Sequence, residues 1–319
     1  MQKPQKPTVN KPTASKPSGK PSSFMATPSI IEMFGTYKSR YTSITDIITP
    51  ADKYTKGEST SQIDIGVEGA RKTSAFDTIP DTFKDWKDGK ERPLYGLVID
   101  GDNRLGVIDT SKRKNWHIVS IPLNADVMGN YRAYCDIRDG LVNRTIGFDM
   151  SDGKKGYDFV IMDSLTPFSY NMFHYIWGTV KGNNWSTGYD GNEERYGELK
   201  TRMNALIFAY KDATQFLFCT AHEAEPHWSE TDKVNARYKA DISGGFKSLA
   251  PKLFDEVYFS VQIKDEYKWL TQFAKNRQPR SLHRLPKFMS KDYSIIINRR
   301  WDEFKVAETK IETEEEVAE

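Results

Sequence analysis

Apolar and polar positions predict a chain in which strands and helices alternate between about residues 61 and 300. Gln62-Ile-Asp-Ile65 alternates as a half-buried strand does. Leu94–Ile99, Tyr157–Asp163 and Thr214–Thr220 are short apolar runs, the mark of strands buried on both faces of a parallel sheet. Trp116–Pro122 reads as a further strand, and Val127–Val142 has helical spacing. Glu193–Tyr210 predicts an amphipathic helix with Leu199, Met203, Leu206, Ile207 and Tyr210 on one face. A helix opening at Lys72 must yield by Pro80, because proline breaks a helix interior. Glu256–Ile263 and Lys268–Phe273, separated by Lys264-Asp-Glu-Tyr267, predict an antiparallel hairpin, with Asp292–Ile297 as an edge strand. The class expected is α/β: a mainly parallel sheet with helices on both faces and a C-terminal antiparallel hairpin.

The two ends differ from this middle. Residues 1–24 hold five Lys-Pro pairs and read as an extended basic tail, a spacer or a weak contact to phosphates. Residues 25–60 read as linker with a short helix, residues 61–300 as the domain, and residues 301–319 as an acidic tail. With 38% hydrophobic residues, the core depends on the 13% that are aromatic and bury large areas each. A net charge of +2 excludes a general polycation, so any nucleic-acid affinity must come from local patches. The cysteines, Cys135 and Cys219, have no metal-ligand spacing and suggest neither a zinc site nor a disulfide framework. With no apolar run long enough for a membrane span and no signal-peptide pattern, a cytoplasmic location is expected, away from membranes.

Candidate chemistry begins at Gly66-Val-Glu-Gly-Ala-Arg-Lys-Thr73, placed between a strand and a helix start. The phosphate-loop pattern G-x-x-x-x-G-K-[ST] is met at Gly66, Lys72 and Thr73, with Arg71 in the place of the final glycine. Backbone N–H groups of such a loop cradle phosphates, so Gly66, Gly69, Arg71 and Ser74 are expected among the nucleotide-binding residues with Lys72 and Thr73. Lys72 is expected to reach the β/γ-phosphates of ATP, and Thr73 to ligate Mg²⁺. Asp163 ends an apolar strand, where an acid holds the nucleotide's Mg²⁺ through water. His222 ends another, as a γ-phosphate sensor or a loop cap. Residues 225–252 form a long polar connection carrying Trp228, Lys239, Phe246 and Lys247, residue types that stack on bases and track phosphates of single strands. A plain solvated loop is the other reading. A second aromatic loop is expected at 170–189, with Trp177, Trp185 and Tyr189.

In this order the segments resemble the RecA-like P-loop ATPases, most of all the short phage-type paralogues that accompany single-strand annealing proteins. The resemblance runs from about Ile63 to Ile297 and is anchored by GVEGARKT, YGLVIDGD, YDFVIMDSLT, FLFCTAHE, ISGGFKSLAPKLFDEVYF and Lys275-Asn-Arg277. It implies ATP and Mg²⁺ as ligands, single-stranded DNA as partner, a homo-oligomer, and a possible annealing or single-strand-binding protein as second partner. A phage-encoded chain would work in the host cytoplasm. Lys275 and Arg277 resemble an element that touches a neighbouring protomer's γ-phosphate. The family's water-orienting Glu is replaced by Asp102, with Asp100 nearby, and Asp is one methylene shorter. Slow or DNA-stimulated hydrolysis is therefore expected. The competing reading is a non-hydrolysing scaffold with a degenerate nucleotide pocket. A metabolic or packaging kinase fits less well, since no arginine-rich lid is visible.

Overall fold

The computed structural model describes residues 59–84, 89–124, 126–179, 190–224, 238–243, 246–274 and 276–299. Strands β1 (Thr60–Gly66), β2 (Thr82–Lys84), β3 (Glu91–Pro93), β4 (Gly96–Asp100) and β5 (Trp116–Ser120) precede helix α1 (Val127–Val142). Then come β6 (Phe148–Asp149), β7 (Lys155–Gly156), β8 (Phe159–Asp163), α2 (Leu165–Thr179) and α3 (Asp190–Ala213). The chain continues through β9 (Phe216–Ala224), β10 (Lys239–Ala240), α4 (Phe246–Leu253), β11 (Glu256–Ile263), β12 (Glu266–Leu270), β13 (Phe288–Ser290) and α5 (Tyr293–Ile297).

The main sheet runs β13-β12-β11-β1-β9-β8-β4-β5, with β10 paired to β9. From β11 to β5 every neighbour is parallel; β12 and β13 extend it antiparallel, as expected of the C-terminal hairpin. Period-two alternation divides each central strand between two cores. Ile63, Ile65, Leu97, Ile99, Val160, Met162, Leu217 and Cys219 face one cluster, where residues of α1, α2, α3 and α4 pack. Val98, Phe159, Ile161, Phe216 and Phe218 face the other, closed by Phe76 and Ile79 near the 3-10 segment Thr73–Thr78 and by Tyr293 and Ile296 of α5. Burial on both faces explains the apolar runs of β4 and β8; β1, read as half-buried, is buried too and carries Gln62 and Asp64 inward on its second face.

Three expectations change. Asp292–Ile297 adds no edge strand: Asp292 caps α5 by accepting the Ser294 N–H at 2.8 Å, and Phe288–Ser290 forms the edge instead. The expected loop at 170–189 is helical up to Thr179, because Phe168, Met172 and Ile176 recur at four-residue spacing on a buried face. Trp185 and Tyr189 lie outside the described residues. The connection 225–252 ends in β10 and α4 rather than in open loop, and α4 buries Phe246, Ala250 and Leu253.

Candidate nucleotide site

The phosphate loop leaves β1 at Gly66, where glycine is dictated by packing. A Cβ there would lie 2.5 Å from that of Ser260 on β11. Two residues of the loop take positive φ, Gly69 at 79° and Arg71 at 52°. Arg71 thus keeps the left-handed backbone of the glycine it replaces, at a cost of about 1–2 kcal/mol for an L-residue. Lys72 is buried and folds back on the loop, donating to the carbonyls of Gly66 at 2.7 Å and Val67 at 2.8 Å. Burial lowers its pKa, with Lys291 acting in the same direction and Asp64, Asp163 and Asp102 opposing. Ser74 Oγ donates to the Arg71 carbonyl at 3.3 Å and tightens the turn into the 3-10 segment.

Because β9 lies between β1 and β8, the ends of three parallel strands converge here. Thr73 Oγ1 donates to Asp163 Oδ2 at 2.7 Å, and Thr220 Oγ1 donates to Asp163 Oδ1 at 2.6 Å. Asp163 is 1% exposed, and burial pushes its pKa up to about 6 against the two hydroxyl bonds, with Asp102 and Asp100 raising it further. The peptide bond after it, Asp163–Ser164, is cis. His222 stands beside Gly66 in register, and its backbone N–H donates to Thr166 Oγ1 at 3.0 Å. Its Nε2 lies 2.9 Å from Asp102 Oδ2. Burial pushes the Asp102 carboxyl up, but contacts with His222 and Ser164 and the nearby Arg104 together hold it below the usual range. Sequence reasoning placed Asp102 and His222 in separate roles; the structure joins them. Asp100 is buried, and its Oδ1 accepts the Arg104 N–H at 3.3 Å. It braces the turn after β4 and stands beside Asp163 in register. Burial raises its pKa while backbone bonds from Arg104, Asn103 and Leu105 oppose.

The donor set suits a small hard cation. Thr73 and Asp163 offer adjacent oxygens on rigid elements, and Mg²⁺ takes one or two protein oxygens, completing its shell with phosphates and water.

The remaining expected residues divide. Arg277 is committed to its own chain: it makes two bonds to Glu223, at 2.7 and 2.8 Å, and lies 4.0 Å over the Tyr238 ring. Lys275 and Trp228 fall outside the described residues. Phe246 is 1% exposed within the core, which corrects its assignment to base stacking: its ring has no free face. Lys239 and Lys247 are exposed and line a cavity of about 420 Å³ together with Tyr238, Lys252 and Arg280. Thr220, Thr166, Glu223 and an exposed ion pair between Glu68 of the loop and Arg104 were missed. A hydroxyl, or an acid that does not close an apolar run, carries no periodic signal.

Among the described residues no helix is long and apolar enough to cross a membrane. The AAA domain family's model matches residues 91–290, more than half of the chain, beginning after the phosphate loop. A solved structure of a prototypical ATPase from the type III secretion system of pathogenic bacteria is similar at 9% identity and a TM-score of 0.42. That alignment covers 64% of this chain and 51% of the other, so the chain spans about half of that protein's length. No curated protein matches.

Proposed function

The chain belongs to the AAA domain family, and on that premise we propose that it is an ATP-binding recombination or annealing factor acting on single-stranded DNA. One observation carries the nucleotide half. Lys72, Thr73, Asp163 and the Asp102–His222 pair meet at the carboxyl ends of neighbouring parallel strands. Ligands of open α/β sheets bind outside those ends. ATP with Mg²⁺ would supply the phosphoanhydride and the cation. Lys72 would take the phosphate oxygens, Thr73 and Asp163 would hold the cation, and Asp102, oriented by His222, would receive a hydrogen bond from water.

The DNA half is supported by the cavity beside β10. Lys239, Lys247, Lys252 and Arg280 line it with Tyr238, and none of its lining side chains among the described residues is acidic. Cations so placed suit a phosphate backbone. The nucleotide site touches this cavity through backbone: β10 pairs with Ala224 and Glu223, and the Asp241 N–H donates to the His222 carbonyl at 2.7 Å. A γ-phosphate that moves His222 would therefore move the basic strand.

The scaffold reading draws support from Arg71, whose side chain occupies the glycine position, and from Lys72 bonded to its own loop. ATP turnover of the purified chain, with and without single-stranded oligonucleotide, separates the two. The DNA reading expects turnover that rises with oligonucleotide. Measurable ATP binding with no turnover in either condition would favour the scaffold.

A further inference from the structure

Asp64 lies near the end of β1 with no solvent exposure, a carboxylate inside the aromatic face of the sheet. Its Oδ1 accepts from Ser260 Oγ at 2.5 Å, and its Oδ2 accepts from Trp269 Nε1 at 3.0 Å and from Lys291 Nζ at 3.2 Å. Lys291 follows β13 and is 6% exposed on its side chain. Its ammonium also donates to Ser260 Oγ and, at 2.7 Å, to the carbonyl of Ala70 in the phosphate loop. Three protons thus meet three acceptors, and the group is saturated.

Stability alone does not account for such a pair, because apolar residues of similar volume are often as stable in its place. The bond to Ala70 gives it another use. In a trans peptide the C=O and the next N–H point in opposite directions. Drawing the Ala70 carbonyl toward Lys291 turns the Arg71 N–H away from it, at the residue whose φ is 52°.

We propose that Lys291 is a positioning residue for the nucleotide: held by Asp64 and Ser260, with Trp269 anchoring Asp64, it fixes the Ala70–Arg71 peptide so that the loop is set for phosphate before ATP arrives. The C-terminal edge of the sheet, remote in sequence, thereby shapes the phosphate loop. The proximity of Lys291 and Asp64 to Lys72 is also felt in the Lys72 pKa, which they push in opposite directions.

The inference rests on the nucleotide reading of residues 66–73, and the test keeps the two apart. Asp64→Asn combined with Lys291→Met removes both charges at once, so neither is left buried alone. Three quantities are read: thermal midpoint without nucleotide, amide exchange in residues 66–73 without nucleotide, and ATP affinity by calorimetry. The expected result is a midpoint near that of wild type, faster exchange in the loop, and ATP affinity lower by roughly tenfold or more, the scale of a bond to a charged group. Unchanged loop exchange, with ATP affinity within about twofold of wild type, would overturn the proposal. Should the double variant not fold, Lys291→Arg keeps the charge beside Asp64 but not the small ammonium that reaches Ala70; the same exchange and affinity losses are expected. If wild type itself does not bind ATP, the nucleotide reading falls, and loop exchange alone decides whether Lys291 holds the loop.

Discussion

Thr73, Asp163 and Thr220 form one hydrogen-bonded row, and its central carboxylate is buried among donors that are neutral. This sets a pH dependence. The pKa of Asp163 rises from 3.8 to about 6 on folding, chiefly through burial. Between those values the folded chain binds a proton that the unfolded chain has released. Stability from this group is therefore greatest below about pH 4 and is lost as pH rises through about 6, by at most about 1.4 kcal/mol per pH unit. Thermal unfolding of the nucleotide-free chain between pH 4.5 and 7 should show this component, and Asp163→Asn should flatten it. An identical slope in the variant would mean that Asp163 titrates as an exposed acid. At this scale the sequence exposed Lys72, Thr73 and Asp163, because each occupies a fixed place in a motif or at the end of an apolar run. It did not expose Lys291, whose role depends on three strands brought together by pairing, or the Asp102–His222 contact, which joins residues 120 apart.

Elements read most clearly where burial is complete. β4, β8, β9 and β11 follow their apolar runs because both faces are covered, and α3 follows its stripe. α4 escaped because Gly244-Gly245 and the lysines around it suggest a loop, while its buried positions, Phe246, Ala250 and Leu253, are few and lie close to Pro251. Short apolar runs such as Ile295–Ile297 fit strand and helix equally, and the Asp292 cap decides for helix. The correction at α4 changes what mutations there should do. Phe246→Ala should cost about 3–5 kcal/mol of stability, as removal of a buried aromatic does, and lower the thermal midpoint. Lys239→Ala and Lys247→Ala should leave the midpoint near wild type and each reduce the slope of log affinity for single-stranded DNA against log salt by about 1. Loss of stability in the lysine variants with no change in slope would remove the cavity from DNA binding.

Across the whole molecule, the parallel sheet with its antiparallel edge was legible from the order of runs, since strands separated by helices have few arrangements. The state of Arg277 was not. Its bonds to Glu223 and the Tyr238 ring hold it within its own chain, so any action on a neighbour requires release. If assembly provides that release, mixing an Arg277→Ala chain with a Lys72→Ala chain should restore part of the hydrolysis, because some interfaces then pair an intact loop with an intact arginine. A charge supplied in trans can be worth about 10³–10⁵ in phosphoryl transfer, so partial rescue is measurable. Absence of rescue, with both chains folded and associating, would confine Arg277 to its ion pair.

The proposed activity depends on the loop at residues 66–73 holding a nucleotide through Lys72. Calorimetric titration of ATP with Mg²⁺ into wild type and into Lys72→Ala tests this most directly. Saturable binding by wild type, weakened by roughly tenfold or more in the variant as a bond to a charged group is lost, is the result expected. Equal affinity in the two chains would contradict the assignment of the site.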